Sequence, residues 1–342
     1  MIKHATNANW SDIHLEQISG GVTTTLRVML LCFFCLGVVG NVLTITSIAL
    51  TRSLHSVPNV YLCNLAASDL TICIIAMPST FVGYTVHIPD ELCVVLAEII
   101  FSCIMVSLMS ITMVAVNRYV LVVKPRQYYV TVYTRKNVTA SIATIWLLGA
   151  LYGTPPLFGF GEYVYSHRFG GCFPRMDTFD SALFLRIFGG GLSLFPAMLV
   201  SLFCYISIGI TFRWVLVTFR CVFVTFSRAR RKVVSATVTE ATACWSVQLQ
   251  TTLATTSMKH DAATRRRSMV FLLRKLAVVW GVFVCCWLPV TVLHIDRRVD
   301  PQVMHVAFVL ALANSAVNVI TYGALSKDIR AAYRRTLWCR RE

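Results

Sequence analysis

Asn41, Asn64, Asp69, Asn117, Arg118, Asn314 and Asn318 stand inside or at the ends of long apolar stretches of this 342-residue chain. In such surroundings each is costly, because a charge or amide removed from water needs a partner. Asp69 is the costliest. A lone buried carboxylate either takes a proton or collects a cation and polar neighbours. Oxygen-bearing side chains around one carboxylate suit a hard monovalent cation such as sodium; a water-filled polar cluster is the alternative. Arg118 differs, because it ends the run Leu92–Asn117 and precedes Pro125 by seven residues. A charge at the end of an apolar span can keep its stem buried while its head reaches water. Hydrolytic chemistry inside a membrane would need clusters of His and Asp ligands within the apolar segments, and the sequence has none.

These side chains must be carried on elements that tolerate an apolar solvent. The chain is 56% hydrophobic and 13% charged, with a mean hydropathy of +0.68. A soluble protein of this length would need more surface charge. Seven segments approach the length required to cross a bilayer, about 20 residues. They are residues 28–51, 58–82, 92–117 (with Glu98 near its start), 138–160, 187–212, 276–295 and 303–325. No strand-period alternation is present, and hydrocarbon offers no partner to an unpaired backbone group, so each is expected to be helical.

Basic residues orient the bundle. The connections Thr51–Val57, Arg118–Lys136, Arg213–Lys275 and Lys327–Glu342 carry most of the lysines and arginines. Only Lys3, Arg27, Arg168, Arg175, Arg186, Arg297 and Arg298 fall on the other side. The N-terminal segment 1–27 is therefore expected outside and the C-terminus in the cytoplasm. The net charge of +16 then forms a cytoplasmic skirt facing anionic lipid. A nucleic-acid partner would explain the charge but not the spans. Residues 1–27 show no signal-peptide core. Asn9 begins a glycosylation sequon on the outer side, whereas the sequon at Asn137 falls on the cytoplasmic side and reads as chance. The connection 213–275 contains a curiously apolar stretch, Trp214–Phe226, and the basic runs Arg228–Lys232 and Arg265–Arg267. Helical extensions are expected at its ends.

Several short motifs fall in order along these spans: GNVLTI with Asn41, NLAASDL with Asp69, and NRY at Asn117, Arg118 and Tyr119. They continue with a lone Trp146, FVCCWLP with Phe283, Trp287 and Pro289, and NSAVNVITY ending at Tyr322. In this order the chain resembles a rhodopsin-like (class A) G-protein-coupled receptor over nearly its whole length. The resemblance implies an all-α membrane protein, a seven-transmembrane-helix bundle with a short amphipathic helix 8 in residues 326–342. It also implies a multi-pass plasma-membrane receptor, not an enzyme. Such a receptor binds an extracellular ligand and engages a heterotrimeric G protein, with arrestin and membrane lipid as further partners. NRY, Phe203-Cys204-Tyr205 and the Asn314–Leu325 pattern resemble the melatonin-receptor branch, which implies inhibitory (Gi/o) coupling.

The same resemblance assigns roles by position. Cys93 and Cys172 would form a disulfide at the outer face, while most of the thirteen cysteines read as small apolar residues. Asn117, Arg118, Tyr119, Tyr205, Trp287, Pro289, Asn318 and Tyr322 would form the switch and coupling machinery. Asp69, Ser107, Asn314 and Ser315 would hold sodium; no other cofactor is implied. Cys339, after the amphipathic stretch Ser326–Trp338, is a candidate for palmitoylation. Phe101, Ile104, Met105, Phe188, Trp287, Val290, Thr291 and Phe308 would line the ligand pocket, with Arg175, Arg186, His294 and His305 at its rim. Ile100 stands where amine receptors place an acidic counter-ion, and no lysine lies within helix seven for a retinal Schiff base. That combination suits a small lipophilic or amphiphilic ligand.

The chain also departs from the family pattern. Asn117 replaces the usual carboxylate, Val319 replaces the proline of NPxxY, and Tyr205 lies nine residues after Pro196 where eight is usual. A non-signalling decoy or scaffold, or a peptide-binding receptor, is the alternative that these departures leave open. A transporter would show repeat symmetry and broken helices, and neither is present.

Overall fold

The computed structural model describes residues 20–175, 179–184, 187, 194–236, 278–293 and 299–338. The long helices are α1 (Gly20–Leu50), α2 (Val57–Gly83), α3 (Asp90–Val123) and α5 (Arg135–Gly153), followed by α7 (Phe195–Ala236), α8 (Val278–Leu293) and α9 (Pro301–Leu325). Between and after them lie three shorter ones, α4 (Arg126–Val132), α6 (Phe179–Phe184) and α10 (Lys327–Leu337). A two-stranded antiparallel hairpin, β1 (Tyr163–Ser166) and β2 (Gly171–Pro174), is the only sheet among the described residues.

Local chemistry sets the helix ends. Asp300 caps α9, accepting from the Gln302 amide at 2.7 Å, and Pro301 follows at a position where its missing N–H costs nothing. Thr134 caps α5 by accepting from the Asn137 amide at 3.2 Å. Pro155-Pro156 ends α5 at Gly153 and turns the chain into a short 3-10 segment, so the expected span 138–160 is shortened at that end. The other bounds differ mostly by extension. Helix α1 starts at Gly20, and α3 runs past Arg118 to Val123. Helix α7 continues through Trp214–Phe226 to Ala236, so the apolar stretch and the Arg228–Lys232 run are helical rather than loop. At 42 residues and about 1.5 Å rise each, α7 is about 63 Å long, twice a hydrocarbon core.

Helix α9 is central and α1 peripheral: 72% of the apolar window of α9 is buried inside the bundle, against 28% for α1. Helix α3 packs on α2, α5 and α7, and α9 packs on α1 and α2. Close approach of α1 to α9 requires Gly40, because a Cβ there would lie 2.5 Å from Val319 Cγ1. Polar groups pin the bundle elsewhere. Asn64 of α2 donates to the Ser110 hydroxyl of α3 at 2.8 Å and accepts from the Trp146 indole of α5 at 2.8 Å, so one amide joins three helices. Helix α10 lies against α1 through Ser47–Thr336 at 2.9 Å and Thr44–Tyr333 at 2.6 Å. Arg330 of α10 donates to the end carbonyls Gly323 and Ala324 of α9.

Candidate functional site

Three levels of the bundle bring the singled-out residues together. The middle level is polar. Asp69 is fully buried, and its carboxylate accepts from three donors: Ser107 at 2.8 Å, Ser315 at 3.1 Å and the Asn318 amide at 2.9 Å. Helices α2, α3 and α9 each contribute, so one carboxylate binds three spans. Ser68 reaches Ser107 at 3.0 Å, and Asn41 ties α1 to the Ser315 carbonyl at 3.1 Å. The amide oxygens of Asn314 and Asn318 are buried without hydrogen-bond partners. Asn318 bonds Asp69 through its amide nitrogen, and neutral amide and carboxylate oxygens are the ligand type that hard cations take.

The second level is the end of the bundle at Arg118. Here a cavity is lined by Leu62, Ile111, Arg118, Tyr205, Val279, Tyr322 and Ile329, among others. The described residues offer Arg118 no acidic partner. Asn117 is fully buried, and its amide donates to the Tyr129 hydroxyl of α4 at 3.3 Å. Tyr129 in turn meets the Tyr133 ring at 4.9 Å. Burial pushes the Tyr133 hydroxyl up to about 12, so it stays protonated. Tyr119 packs on Phe203 of α7 at 5.5 Å, under the Lys124 ammonium.

At the third level, the hairpin end, the Cys93–Cys172 disulfide is formed and joins β2 to the start of α3. Phe101 packs on Tyr163 and Phe173 of the hairpin. Ile104, Val290 and Phe308 share one apolar cluster with Phe169, Phe173 and Trp287, whereas Met105 packs between two others, that of Ile111 and Phe283 and that of Phe101 and Tyr163. Trp287 lies at 6.1 Å from Phe283, which meets Trp280 edge-on at 5.6 Å. Pro289 sits in the same α8 turn.

The segment from residue 40 to residue 322 matches the family described as 7 transmembrane receptor (rhodopsin family). The chain belongs to that family. It is therefore a multi-pass membrane receptor, not an enzyme. The receptor is 28% identical to the bovine alpha-1A adrenergic receptor over 324 residues, covering 88% of its own length and 65% of that protein's. Similarity to the human melatonin receptor type 1B is 27%, over 92% of this chain and 79% of that one. To the chicken adenosine receptor A2b it is 25%, over 92% and 88%. The receptor spans less than two thirds of the adrenergic relative. Relatives at nearly equal identity thus carry three different names, and no branch stands out. Squid rhodopsin superposes with a TM-score of 0.68 over 93% of the receptor and 86% of its own chain, at 19% identity, a likeness of fold.

Not all of the singled-out residues meet at these sites. Thr291 turns back on its own helix, donating to the Trp287 and Leu288 carbonyls, rather than offering its hydroxyl to a ligand. Arg175 is in an ion pair with Glu162 at 2.8 Å, so its charge is already matched. His305 is fully buried rather than at the rim, donating from Nε2 to the His167 carbonyl at 2.8 Å. Asn9, Phe188, Arg186, His294 and Cys339 lie outside the described residues. Sequence reasoning missed Tyr129, Ser68, Phe169 and Phe173. Tyr129 had a faint signal, as an aromatic one turn beyond Pro125; the other three had none.

Proposed function

We propose that this receptor sits in the plasma membrane with its N-terminus outside and passes an extracellular signal to a heterotrimeric G protein, of the inhibitory class. The observation that carries the reading is Arg118. Among the described residues it has no acidic partner, and it lies at a cavity between α3, α7, α8 and α9 with Tyr205 and Tyr322. A guanidinium free of a counter-ion at the foot of a bundle is available to a docking protein's carbonyls and carboxylates. The melatonin-like motifs and the 27% identity to a melatonin receptor support the inhibitory class. Arrestin and anionic lipid along α10 are the further partners of this reading. Asp69, Ser107, Asn314 and Ser315 would hold sodium, whose role is to favour one arrangement of the helices by binding it better.

The ligand is small and apolar or amphiphilic. Ile100, buried at the hairpin end of α3, gives a protonated amine no partner, although an adrenergic receptor is among the relatives. Asn117 and Val319 favour one second reading, a receptor that binds but does not signal. A panel of G-protein biosensors in cells separates the two. Wild type should activate at least one inhibitory G protein, basally or with ligand, and Arg118→Ala should abolish that while leaving surface expression intact. Silence across the whole panel at good surface expression supports the non-signalling reading.

A further inference from the structure

The hairpin reaches into the bundle instead of lying across it. Phe169, in the turn between β1 and β2, is 0% exposed. It shares a cluster with Met77 of α2, Ile100 of α3, Val290 of α8 and Phe308 of α9. The Phe169 ring stacks on Phe173 at 4.0 Å and meets Phe308 edge-on at 5.9 Å. Phe173 meets Phe308 at 6.1 Å and Phe101 at 5.6 Å. Three of these neighbours, Phe101, Val290 and Phe308, are residues of the wall that the sequence assigns to the ligand.

The hairpin has little freedom to withdraw. It is tied to α2 by Tyr165 donating to the Gly83 carbonyl, and to α3 by the disulfide. Tyr163 donates to the Gly153 carbonyl of α5 at 2.9 Å, Arg168 reaches the Leu293 carbonyl of α8 at 3.5 Å, and His305 of α9 holds the His167 carbonyl. Gly170 adopts φ +64, and a Cβ there would fall on Tyr84; a Cβ on Gly83 would fall on the Gly170 carbonyl. The turn is therefore seated on α2 at backbone contact distance. A cover that only kept water out of the mouth would need none of this burial.

We propose that Phe169 is the pocket's own occupant: a flat, uncharged aromatic group of this chain fills the volume where a ligand binds. An external ligand then belongs to the same chemical class, a flat aromatic that displaces the ring or stacks on Phe173 in its place. The proposal rests on the pocket assignment made above.

The test uses the full-length receptor in lipid nanodiscs, with indole as the probe. Phe169→Ala should lower the melting temperature by roughly 5 °C or more. Indole should restore much of that loss in Phe169→Ala and leave wild type unmoved, because an apolar hole of about 150 Å³ stays dry and takes up a flat aromatic. If Phe169→Ala does not accumulate alone, it is produced with indole present, and loss of the folded receptor on washing the indole out makes the same comparison. A variant that melts like wild type overturns the proposal, as does a destabilised variant that indole cannot rescue, or a wild type that responds equally. Biosensor signalling is read on the same variants. Indole rescue of melting with silence in every biosensor leaves the occupant standing and sinks the signalling reading; signalling without any indole effect does the reverse.

Discussion

Asn117 of α3 and Tyr129 of α4 are joined across the foot of the bundle, amide to hydroxyl, at 3.3 Å. In the family pattern a carboxylate at the Asn117 position would restrain the neighbouring arginine. Here the side chain holds a helix of the adjoining loop instead. A neutral hydrogen bond of this length is worth about 0.5–1 kcal/mol. At about 1.4 kcal/mol per tenfold, its loss changes the resting-to-active ratio two- to five-fold. Asn117→Asp supplies the missing charge beside Arg118 and should lower basal signalling by about that factor, with maximal response retained. Tyr129→Phe and Asn117→Ala should raise basal signalling alike, and the double variant should do no more than either single one. Additive effects in that cycle would mean that Asn117 acts through another partner.

Sodium should stabilise the purified receptor more than an equal concentration of choline. Binding to the folded state alone raises the melting temperature with ligand concentration. Asp69→Asn removes the charge that holds the cation and should erase the difference. Asn314→Ala should weaken it, because the Asn314 amide oxygen is buried and unpaired. If wild type melts alike in both salts, the Asp69 centre is a protein and water cluster.

Loss of the disulfide should be felt at the hairpin first. Breaking it in Cys172→Ser should cost roughly 2–4 kcal/mol and reduce surface expression. The remaining anchors, Tyr163 on Gly153 and His305 on the His167 carbonyl, should keep the hairpin seated. Rapid amide exchange throughout residues 163–174 in Cys172→Ser would show that those anchors do not suffice alone.

Acidification should loosen the same hairpin. Burial, and then the neighbouring His87, hold the His167 imidazole below its ordinary value of 6.5. The rings of His87 and His167 lie 6.2 Å apart. A histidine whose folded value is depressed binds fewer protons than it does when released. Its contribution is therefore complete above about pH 6.5 and is lost as pH falls through the folded value. Amide exchange at residues 163–174 should be faster at about pH 5.5 than at about pH 7.5 once corrected for intrinsic rates. His167→Phe should remove the pH dependence. An equal dependence in that variant would assign it to another group.

The helical spans, their order and the polar residues within them were legible from the sequence alone. Apolar length is a property of a contiguous stretch, and an amide or carboxylate inside one must find partners whatever the fold. The disulfide was legible through family position: of the thirteen cysteines, Cys93 and Cys172 fall at the outer face. Partner choice was not legible. Nothing in the residues links Asn64 to Trp146, 82 positions away, or Arg175 to Glu162. Helix α7 extends to Ala236, as expected for the start of the 213–275 connection, but the length of that extension was not legible, because apolar residues such as Val215 and Val217 carry no stop signal. Above all, Phe169 looked like an ordinary loop residue between an arginine and two glycines. Its burial depends on a backbone turn with positive φ at Gly170 and on a wall from four helices, among them Phe308 at a distance of 139 residues. Contacts that close over such separations are decided by packing of the assembled bundle, because no local preference of the chain encodes which distant surface a side chain will meet.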